Sequence, residues 1–245
     1  MWETVTKHVT KPSIILNSHE ALQKETMIKP RDIVNPRQVP IAKLLFALYD
    51  NLVLGFVNRF VWQCPTRRLL DLYDAHASNN HLEVGVGTGY FIDRCRFQAL
   101  PSRLVILDLN GYTLAETAWR LRRYRPLSFK RSILEPLDLE GPGFDSVGIN
   151  YVLHCLPGTI ETKAVVFEHM RKVMNPGAVL FGSTTLTEGI HKNQLARLLM
   201  DFNNRMGIFH NQHDTLSGLQ KVLSQHFTKS HIEVVGCSGV FVCNI

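Results

Sequence analysis

Three alternating glycines, at positions 85, 87 and 89, constrain the fold of this chain more than any other feature. They follow an apolar run that predicts a buried strand over 81–86, and they open a helix predicted over about 88–96. Glycine adopts backbone angles that other residues avoid, and its lack of a side chain lets a ligand lie against the main chain. The free N–H groups at a helix start suit an anionic or strongly polar ligand. The run therefore predicts a strand, a tight turn and a helix that together hold a ligand.

The second predicted strand, 103–108, ends at Asp108, nineteen residues after Gly89. A nucleotide-binding fold places the carboxylate that binds ribose hydroxyls at about this position. The dinucleotide fingerprint would require a glycine at position 90, where this chain has Tyr90. Because a bulky residue there disfavours the strand–helix packing used for pyrophosphate, a nicotinamide-dependent oxidoreductase is the weaker alternative. The sequence predicts a nucleoside site.

Strands and helices are predicted to alternate from residue 81 onward. Further helices are predicted over about 111–124, 160–174, 192–204 and 215–226, and further strands over about 127–132, 144–150, 178–184, 230–236 and 239–244, with Pro176-Gly177 as the turn before 178–184. Such alternation indicates an α/β fold with a parallel sheet and helices on both faces, and with ligands at the carboxyl ends of the strands. The last two strands predict an antiparallel hairpin at the end of a Rossmann-like sheet.

The N-terminal part differs in character from the rest. Residues 1–40 are polar and proline-containing with little periodicity, which predicts a partly ordered arm. Residues 41–76 carry a helical apolar pattern and predict a cap, with a break near Gly55, and residues 77–245 form the core. No apolar run reaches the length of a membrane span, and the N-terminus lacks the pattern of a secretion signal. The sequence therefore indicates no membrane partner.

Composition narrows the cellular setting. The five cysteines are scattered and form no Cys-x-x-Cys pair, which argues against structural zinc and a disulfide framework and favours the cytoplasm. The net charge is +6, and basic residues concentrate between Arg120 and Arg131. The favoured interpretation of this cluster is a solvated helix face, since few aromatic residues accompany it. A nucleic-acid partner, and with it RNA modification, remains a minor alternative. The oligomeric state is left open.

Several further stretches carry a family resemblance. They are 49–50, 62–66, 85–95, 134–137, 150–158 and 180–184, together with the pattern Glu-x-Gly-x-Gly-x-Gly over 83–89. Together they resemble a type 12-like group of class I S-adenosylmethionine-dependent methyltransferases, which includes bacterial, partly prophage-encoded proteins and fungal O-methyltransferases of aromatic polyketide pathways. The resemblance covers about residues 40–245. It implies the seven-stranded methyltransferase sheet and S-adenosyl-L-methionine as cofactor.

The resemblance also implies roles for the residues of the glycine turn and its neighbours. Gly85, Gly87 and Gly89 would line the methionine part of the cofactor. Glu83 would order the turn and reach the cofactor amino group through water. Asp108 would accept hydrogen bonds from both ribose hydroxyls, a charge-assisted pair. The structural alternatives are a turn cap for Glu83 and a helix cap for Asp108.

The same resemblance assigns the adenine and sulfonium ends of the site. Leu109 and Ile133 would sandwich the adenine, and Asn150 and Tyr151 would offer main-chain contacts beside the sulfonium. Tyr49 in the cap would close over the cofactor, although a tyrosine on an apolar helix is commonly a core residue.

The chain departs from the family pattern at one position that concerns adenine recognition, and three histidines are candidates for a general base. Ser132 stands where many relatives have an aspartate for the adenine amino group, so backbone groups are predicted to recognise adenine. His154 is the best-placed general base, with a structural histidine bonded to a loop carbonyl as the alternative. His191 and His210 are weaker candidates, and Cys155 is interpreted as packing.

These observations predict transfer of a methyl group to a small, hydrophobic or aromatic acceptor, with oxygen favoured over nitrogen. The chain lacks the Asn-Pro-Pro-Tyr arrangement of many nucleic-acid and protein N-methyltransferases, which favours a small molecule. A cofactor-binding protein without methyl transfer has the same cofactor residues and is the alternative hypothesis.

Overall fold

The computed structural model describes residues 48–245. Its core is a seven-stranded sheet in the order β3-β2-β1-β4-β5-β7-β6. The strands are β1 Asn80–Val84, β2 Arg103–Asp108, β3 Leu127–Lys130, β4 Phe144–Asn150, β5 Met174–Thr185, β6 Lys229–Val235 and β7 Ser238–Asn244. The first five pair in parallel, and β7 pairs antiparallel with both β5 and β6. The predicted Rossmann-like sheet with an antiparallel C-terminal hairpin is confirmed.

Six α-helices in the described part of the chain cover the two faces of the sheet. They are α1 Thr66–His76, α2 Tyr90–Arg94, α3 Gly111–Arg120, α4 Val165–Lys172, α5 Gln194–Arg205 and α6 Leu216–His226. Apolar side chains of α1, α2, α3 and α5 pack on one face, and those of α4 and α6 pack on the other. The chain order reverses between β1 and β4, and ligands of such sheets bind at the carboxyl ends beside this switch. None of the helices within residues 48–245 combines the length and apolar character that crossing a bilayer requires.

The cap differs from its prediction in winding. Residues Asp50–Val61 form a π-helix, with an i to i−5 hydrogen bond of 2.9 Å from the Trp62 amide to the Val57 carbonyl, and we call this segment the cap helix. The break predicted near Gly55 is wrong, because the helix runs through this glycine. Residues 1–47, which include the predicted arm and the start of the predicted cap, lie outside the described residues. The division into arm, cap and core stays a prediction.

Two other elements depart from their predicted bounds. Helix α2 is only five residues long, and α4 is preceded by a 3₁₀ turn, Thr162–Ala164, instead of beginning at 160. Strand β5 begins at Met174, before the predicted Pro176-Gly177 turn, which lies inside the strand. The register shifts there, because Phe144 pairs with Met174 while Ser146 pairs with Val179. The extra residues of β5 bulge out, so the turn-forming sequence produces a bulge instead of a strand start.

Candidate functional site

The glycine turn lies at the carboxyl end of β1, as predicted. Gly85 and Gly87 have φ of +68° and +49°, values that side-chain-bearing residues rarely adopt. A Cβ on Gly85 would stand 2.2 Å from Cγ2 of Val152, so the loop after β4 closes directly on this glycine. Gly89 also has a positive φ, but a Cβ there would meet Thr117 of α3 at 2.7 Å. Gly89 therefore serves the packing of the turn against α3.

Two cavities meet at this turn. The larger has a volume of about 510 Å³ and lies over the ends of β1, β2 and β3. The smaller has about 90 Å³ and lies between the turn, the cap helix and the end of β4. Gly85, Gly87 and Tyr151 line both cavities, so the two volumes adjoin along the turn. Gly89 lines neither of them, whereas the remaining predicted cofactor residues each line one: Asp108, Leu109, Ser132 and Ile133 the larger, and Tyr49, Glu83 and Asn150 the smaller.

Asp108 is held at the end of β2 by its surroundings. Its Oδ1 accepts a hydrogen bond of 2.8 Å from the Asn110 amide, and Asn110 caps α3. Burial raises the pKa of the Asp108 carboxyl, and backbone hydrogen bonds, of which that from Asn110 is the strongest, counteract the rise. The capping role is taken by Asn110, which leaves the Asp108 carboxylate at the wall of the larger cavity as an acceptor for a ligand hydroxyl.

Leu109 and Ile133 provide apolar walls for the larger cavity. Leu109 is 66% exposed, which leaves its side chain available to a ligand, whereas Ile133 is buried. Ser132, next to Ile133, accepts a hydrogen bond of 3.3 Å at Oγ from the Leu134 amide. The serine side chain is thus used to form its own loop. Recognition of the adenine edge by backbone groups stays a prediction.

Glu83 is part of a buried chain of hydrogen bonds. The Tyr73 hydroxyl donates to Glu83 Oε1 at 2.6 Å, and His81 Nε2 lies 3.1 Å from Glu83 Oε2. His81 Nδ1 in turn lies 2.8 Å from the Ser146 hydroxyl. A Cβ on Gly148 would meet Glu83 Oε2 at 2.3 Å, which explains a glycine in the middle of β4. The carboxylate therefore has a fixed orientation at the wall of the smaller cavity.

The end of β4 adds an unpaired donor. Asn150 accepts a hydrogen bond from the Ser183 hydroxyl at Oδ1, while its buried Nδ2 has no partner among residues 48–245. A buried unsatisfied amide is costly, so it points to a ligand atom in the adjoining smaller cavity. Tyr151 follows with φ of +56°, and its hydroxyl lies 3.2 Å from that of Ser238. This strained backbone turns the chain from β4 into the loop that closes on Gly85.

The structure does not bring His154 to either cavity. Its ring is buried and packs edge-on against Phe209, with 4.3 Å between ring centroids. The Thr185 amide donates to Nδ1 at 3.4 Å, so this nitrogen is already an acceptor. Burial, with the charge of Lys163, lowers the pKa of His154 to about 3. This geometry favours the structural alternative, with a backbone amide as partner in place of a loop carbonyl.

The weaker candidates are placed differently. His191 and His210 are exposed, and neither lines the two cavities. Cys155 lines the larger cavity, where burial raises the pKa of its thiol to about 11 and keeps it protonated. It is exposed and forms part of the cavity wall, and its interpretation as packing stays a prediction.

Sequence reasoning missed the contact between the cap and the glycine turn. Asp50 Oδ1 accepts a hydrogen bond of 2.6 Å from the Thr88 hydroxyl, and Arg120 Nη1 donates to Asp50 Oδ2 at 2.8 Å. Arg120 also donates to Asp93 and to the Thr88 carbonyl. Because these partners lie up to seventy residues apart, local periodicity gives no signal for them. The contact places neighbouring Tyr49 at the smaller cavity.

A carboxylate at the wall of the larger cavity, an exposed glycine turn and a polar, partly unsatisfied end at the smaller cavity fit a nucleoside joined to an amino-acid moiety. On this sheet topology they define a class I S-adenosylmethionine-dependent methyltransferase. The chain belongs to the family described as "Methyltransferase domain", whose model matches residues 82–180.

Relatives support this assignment over most of the chain. Demethylluteothin O-methyltransferase of Streptomyces thioluteus is 37% identical over 204 residues, covering 83% of this chain and 89% of that protein. The N-methyltransferase vrtF of Penicillium aethiopicum is 33% identical over 182 residues, covering 74% of this chain and 76% of that protein. A solved structure, the DhpI–SAH complex, matches with a TM-score of 0.58 at 14% identity, covering 85% of this chain and 94% of that chain, and shows the same fold.

The chain is an enzyme that uses S-adenosyl-L-methionine to methylate a small-molecule acceptor. The alternative of a cofactor-binding protein without methyl transfer is thereby set aside, and the nicotinamide-dependent oxidoreductase with it.

Proposed function

We propose that the two adjoining cavities hold one S-adenosyl-L-methionine molecule, with its adenosine in the larger and its methionine part in the smaller. Asp108 binds the ribose hydroxyls, and Leu109 and Ile133 flank the adenine. Gly85 and Gly87 lie where the two cavities meet. The observation that supports this most directly is the position of Gly85 and Gly87 in both linings, between Asp108 on one side and Glu83 on the other. When bound, the cofactor supplies an activated methyl group.

The residues at the smaller cavity account for the polar end of the ligand. Glu83 is a fixed acceptor for an ammonium group, and Asn150 Nδ2 is a free donor for a carboxylate or hydroxyl oxygen. Both side chains are oriented before a ligand arrives, because Tyr73 and Ser183 already hold them. Catalysis on this geometry is mainly by positioning, an effect worth up to roughly 7–11 kcal/mol of the barrier when the reacting atoms are well oriented.

We infer a hydrophobic or aromatic acceptor with a reactive oxygen. The cap helix contributes Leu54 to the smaller cavity, and Tyr49, which precedes the helix, lines the same cavity. The cap helix also exposes the large apolar side chains Leu52, Phe56 and Phe60. The relative of higher identity is an O-methyltransferase, and the other is an N-methyltransferase, so the choice of oxygen depends on the closer relationship. Because His154 lies away from the cavities, a phenolic acceptor would lose its proton to solvent or to a basic group on the acceptor molecule itself.

A cytoplasmic site of action is part of the same proposal. All five cysteines are free, and four of them are buried, where burial raises the pKa of each thiol. Reduced, protonated thiols are usual in a reducing compartment. Localisation of a fluorescent fusion would test this, and accumulation outside the cytoplasm would contradict it.

The cofactor site is tested by calorimetric titration with S-adenosylmethionine and S-adenosylhomocysteine. We expect Asp108→Asn to weaken binding by about ten- to a hundredfold, the loss of hydrogen bonds to a charged acceptor. Asp201→Asn, on the exposed side of α5, is the matched control and should bind as the wild type does. Equal binding by the Asp108 variant would overturn the assignment.

The acceptor is tested separately by incubation with phenolic and amine-bearing aromatic compounds and S-adenosylmethionine. Formation of S-adenosylhomocysteine together with a methylated product, located by mass fragmentation, identifies the acceptor atom. Methylation at nitrogen alone would contradict the choice of oxygen. Turnover only with RNA would contradict a small-molecule acceptor.

A further inference from the structure

A third cavity, of about 540 Å³, lies on the other side of the cap helix from the nucleoside site. Four arginines line it, and we call it the arginine groove: Arg59 from the cap helix, Arg67 from the start of α1, Arg94 from α2 and Arg120 from the end of α3. Among residues 48–245, Asp50 is the one acidic side chain in this lining. The groove therefore collects an excess of positive charge from four separate elements.

Nearby carboxylates form ion pairs with only two of these four arginines. Arg120 pairs with Asp50 and Asp93, and Arg67 Nε lies 2.9 Å from Asp71 Oδ1. Within residues 48–245, no carboxylate lies within ion-pair distance of Arg59 or Arg94.

Instead, both free guanidiniums lie over aromatic rings. The Arg59 guanidinium carbon is 5.5 Å from the centroid of Phe60, and that of Arg94 is 5.5 Å from the centroid of Tyr90. A ring face orients a guanidinium without using its N–H donors. The N–H donors of these two guanidinium groups thus stay available to the hydrogen-bond acceptors of a ligand.

The backbone of α1 adds to the positive electrostatic potential of the arginine groove. Pro65, Thr66 and Arg67 lie in the lining, and the first turn of this eleven-residue helix has neither a side-chain cap nor an acidic residue. Its N-terminal dipole therefore reinforces the arginines.

The arginine groove is separate from the cofactor site but shares a wall with it. Leu54 and Tyr90 line both the groove and the smaller cavity, whereas Glu83, Asn150 and the glycine turn line only the cofactor side. The basic cluster around Arg120, which the sequence presents as a solvated face, thus turns one of its members inward beneath the cap helix.

We propose that the arginine groove is a second ligand site, and that it binds a small, multiply charged anion of the phosphate or pyrophosphate class. Guanidinium forks match phosphate oxygens in pairs of parallel hydrogen bonds, and two uncompensated forks favour more than one negative charge. The volume lies within the range of small-molecule sites and leaves room for an organic remainder. Because Arg59 belongs to the cap helix and Arg94 to the core, the bound anion joins the two.

The test is calorimetric titration of the full chain with inorganic pyrophosphate at constant ionic strength. We expect Arg59→Met/Arg94→Met to weaken binding at least tenfold, since hydrogen bonds to charged groups are lost. The control is Arg171→Met/Arg205→Met, which removes the same charge from exposed positions on α4 and α5 and should bind as the wild type does. The single variants Arg59→Met and Arg94→Met, each with an intermediate loss, serve if the double variant fails to fold.

Hydrogen exchange provides an independent readout. Pyrophosphate should slow amide exchange across Asp50–Val61 in the wild type but not in the Arg59→Met/Arg94→Met variant. Unchanged exchange in the wild type would overturn the site, because Arg59 would then not be engaged.

Three further results would also overturn the proposal. They are no binding of pyrophosphate by the wild type, equal weakening in both double variants, and strongly salt-dependent binding of duplex RNA without binding of pyrophosphate. The titrations do not depend on the proposed cofactor site, so they can fail or succeed whatever the result with S-adenosylmethionine.

Discussion

The Asp50 carboxylate accepts a hydrogen bond of 2.6 Å from the hydroxyl of Thr88. Asp50 begins the cap helix, and Thr88 lies inside the glycine turn, so this contact joins the cap to the segment that lines both cavities. Arg120 reaches the other carboxylate oxygen at 2.8 Å and also binds the Thr88 carbonyl at 3.0 Å. The position of the cap and the shape of the turn are therefore fixed by one cluster.

We expect Asp50→Ala to weaken binding of S-adenosylhomocysteine by about tenfold, the value of one lost hydrogen bond between charged partners. The variant removes both contacts and frees Tyr49 from the wall of the smaller cavity. Calorimetry measures the affinity, and hydrogen exchange should show faster opening of the cap helix. Asp201→Ala is the control, and an unaltered affinity in Asp50→Ala would show that the cap does not contribute to cofactor binding.

Gly85→Ala should destabilise the protein by about 2–5 kcal/mol, combining a disfavoured backbone angle with a clash against Val152. Gly177→Ala is the matched comparison, because its φ is +79° but no atom lies within 4 Å of the added Cβ. There we expect only the backbone term, about 1 kcal/mol. Urea denaturation measures both free energies of unfolding.

A second substitution separates the two contributions. Adding Val152→Ala to Gly85→Ala should recover part of the lost stability, since it removes the contact at 2.2 Å. Failure to recover any would assign the whole effect to the backbone.

His154 should make the protein sensitive to acid. Its pKa is about 3 in the folded protein against 6.5 for an ordinary histidine, so the unfolded chain binds a proton that the folded one excludes. The stabilising effect of the neutral ring is complete above pH 6.5 and is lost as the pH falls toward 3, by up to about 1.4 kcal/mol per pH unit. Between pH 7 and pH 5 this amounts to about 2 kcal/mol.

The measurement compares the free energy of unfolding at these two pH values in His154→Gln and in the exposed control His191→Gln. The His154 variant should be less stable at pH 7 but lose about 2 kcal/mol less than the wild type on acidification. The control should follow the wild type. Parallel curves for all three proteins would contradict the depressed pKa.

Lys163 and Asp214 form an ion pair in which both side chains are fully buried, with 2.7 Å between Nζ and Oδ2. Lys163→Met should cost about 3–5 kcal/mol, because it leaves the Asp214 carboxylate buried without a counterion. Lys172→Met breaks an exposed pair with Glu168 and should cost less than about 1 kcal/mol. Thermal and urea unfolding check both values. Similar losses for the two lysines would show that burial does not govern the strength of these pairs.

The sequence predicts the sheet well because the signals of its strands are local. The glycine turn, Asp108 and the end of β4 each follow a strand, and strand ends of a parallel sheet meet at one edge. Gly89 lies outside both cavity linings and packs against Thr117, which belongs to another helix. His154 also lies outside both linings, beside Phe209 and Lys163, and neither of these contacts has a local signal in the sequence.

The winding of the cap helix and the bulge in β5 could not be predicted from local sequence for a similar reason. Apolar spacing predicts a helix over the cap but does not distinguish π from α winding. Pro176-Gly177 favours a turn, and only the pairing of β4 with β5 on both sides converts that turn into a bulge.

The hydrogen bonds below Glu83 extend from the cofactor edge of the sheet to its opposite edge. Glu83, His81, Ser146 and the amide of Ser78 follow one another, and Ser78 precedes β1. Ser146 near the amino end of β4 thus supports, through His81, the carboxylate that Tyr73 also holds at the carboxyl end of β1. Loss of the Ser146 hydroxyl would therefore lower ligand affinity, although no ligand touches this residue. A substitution far from the cavities is not neutral merely because it is distant.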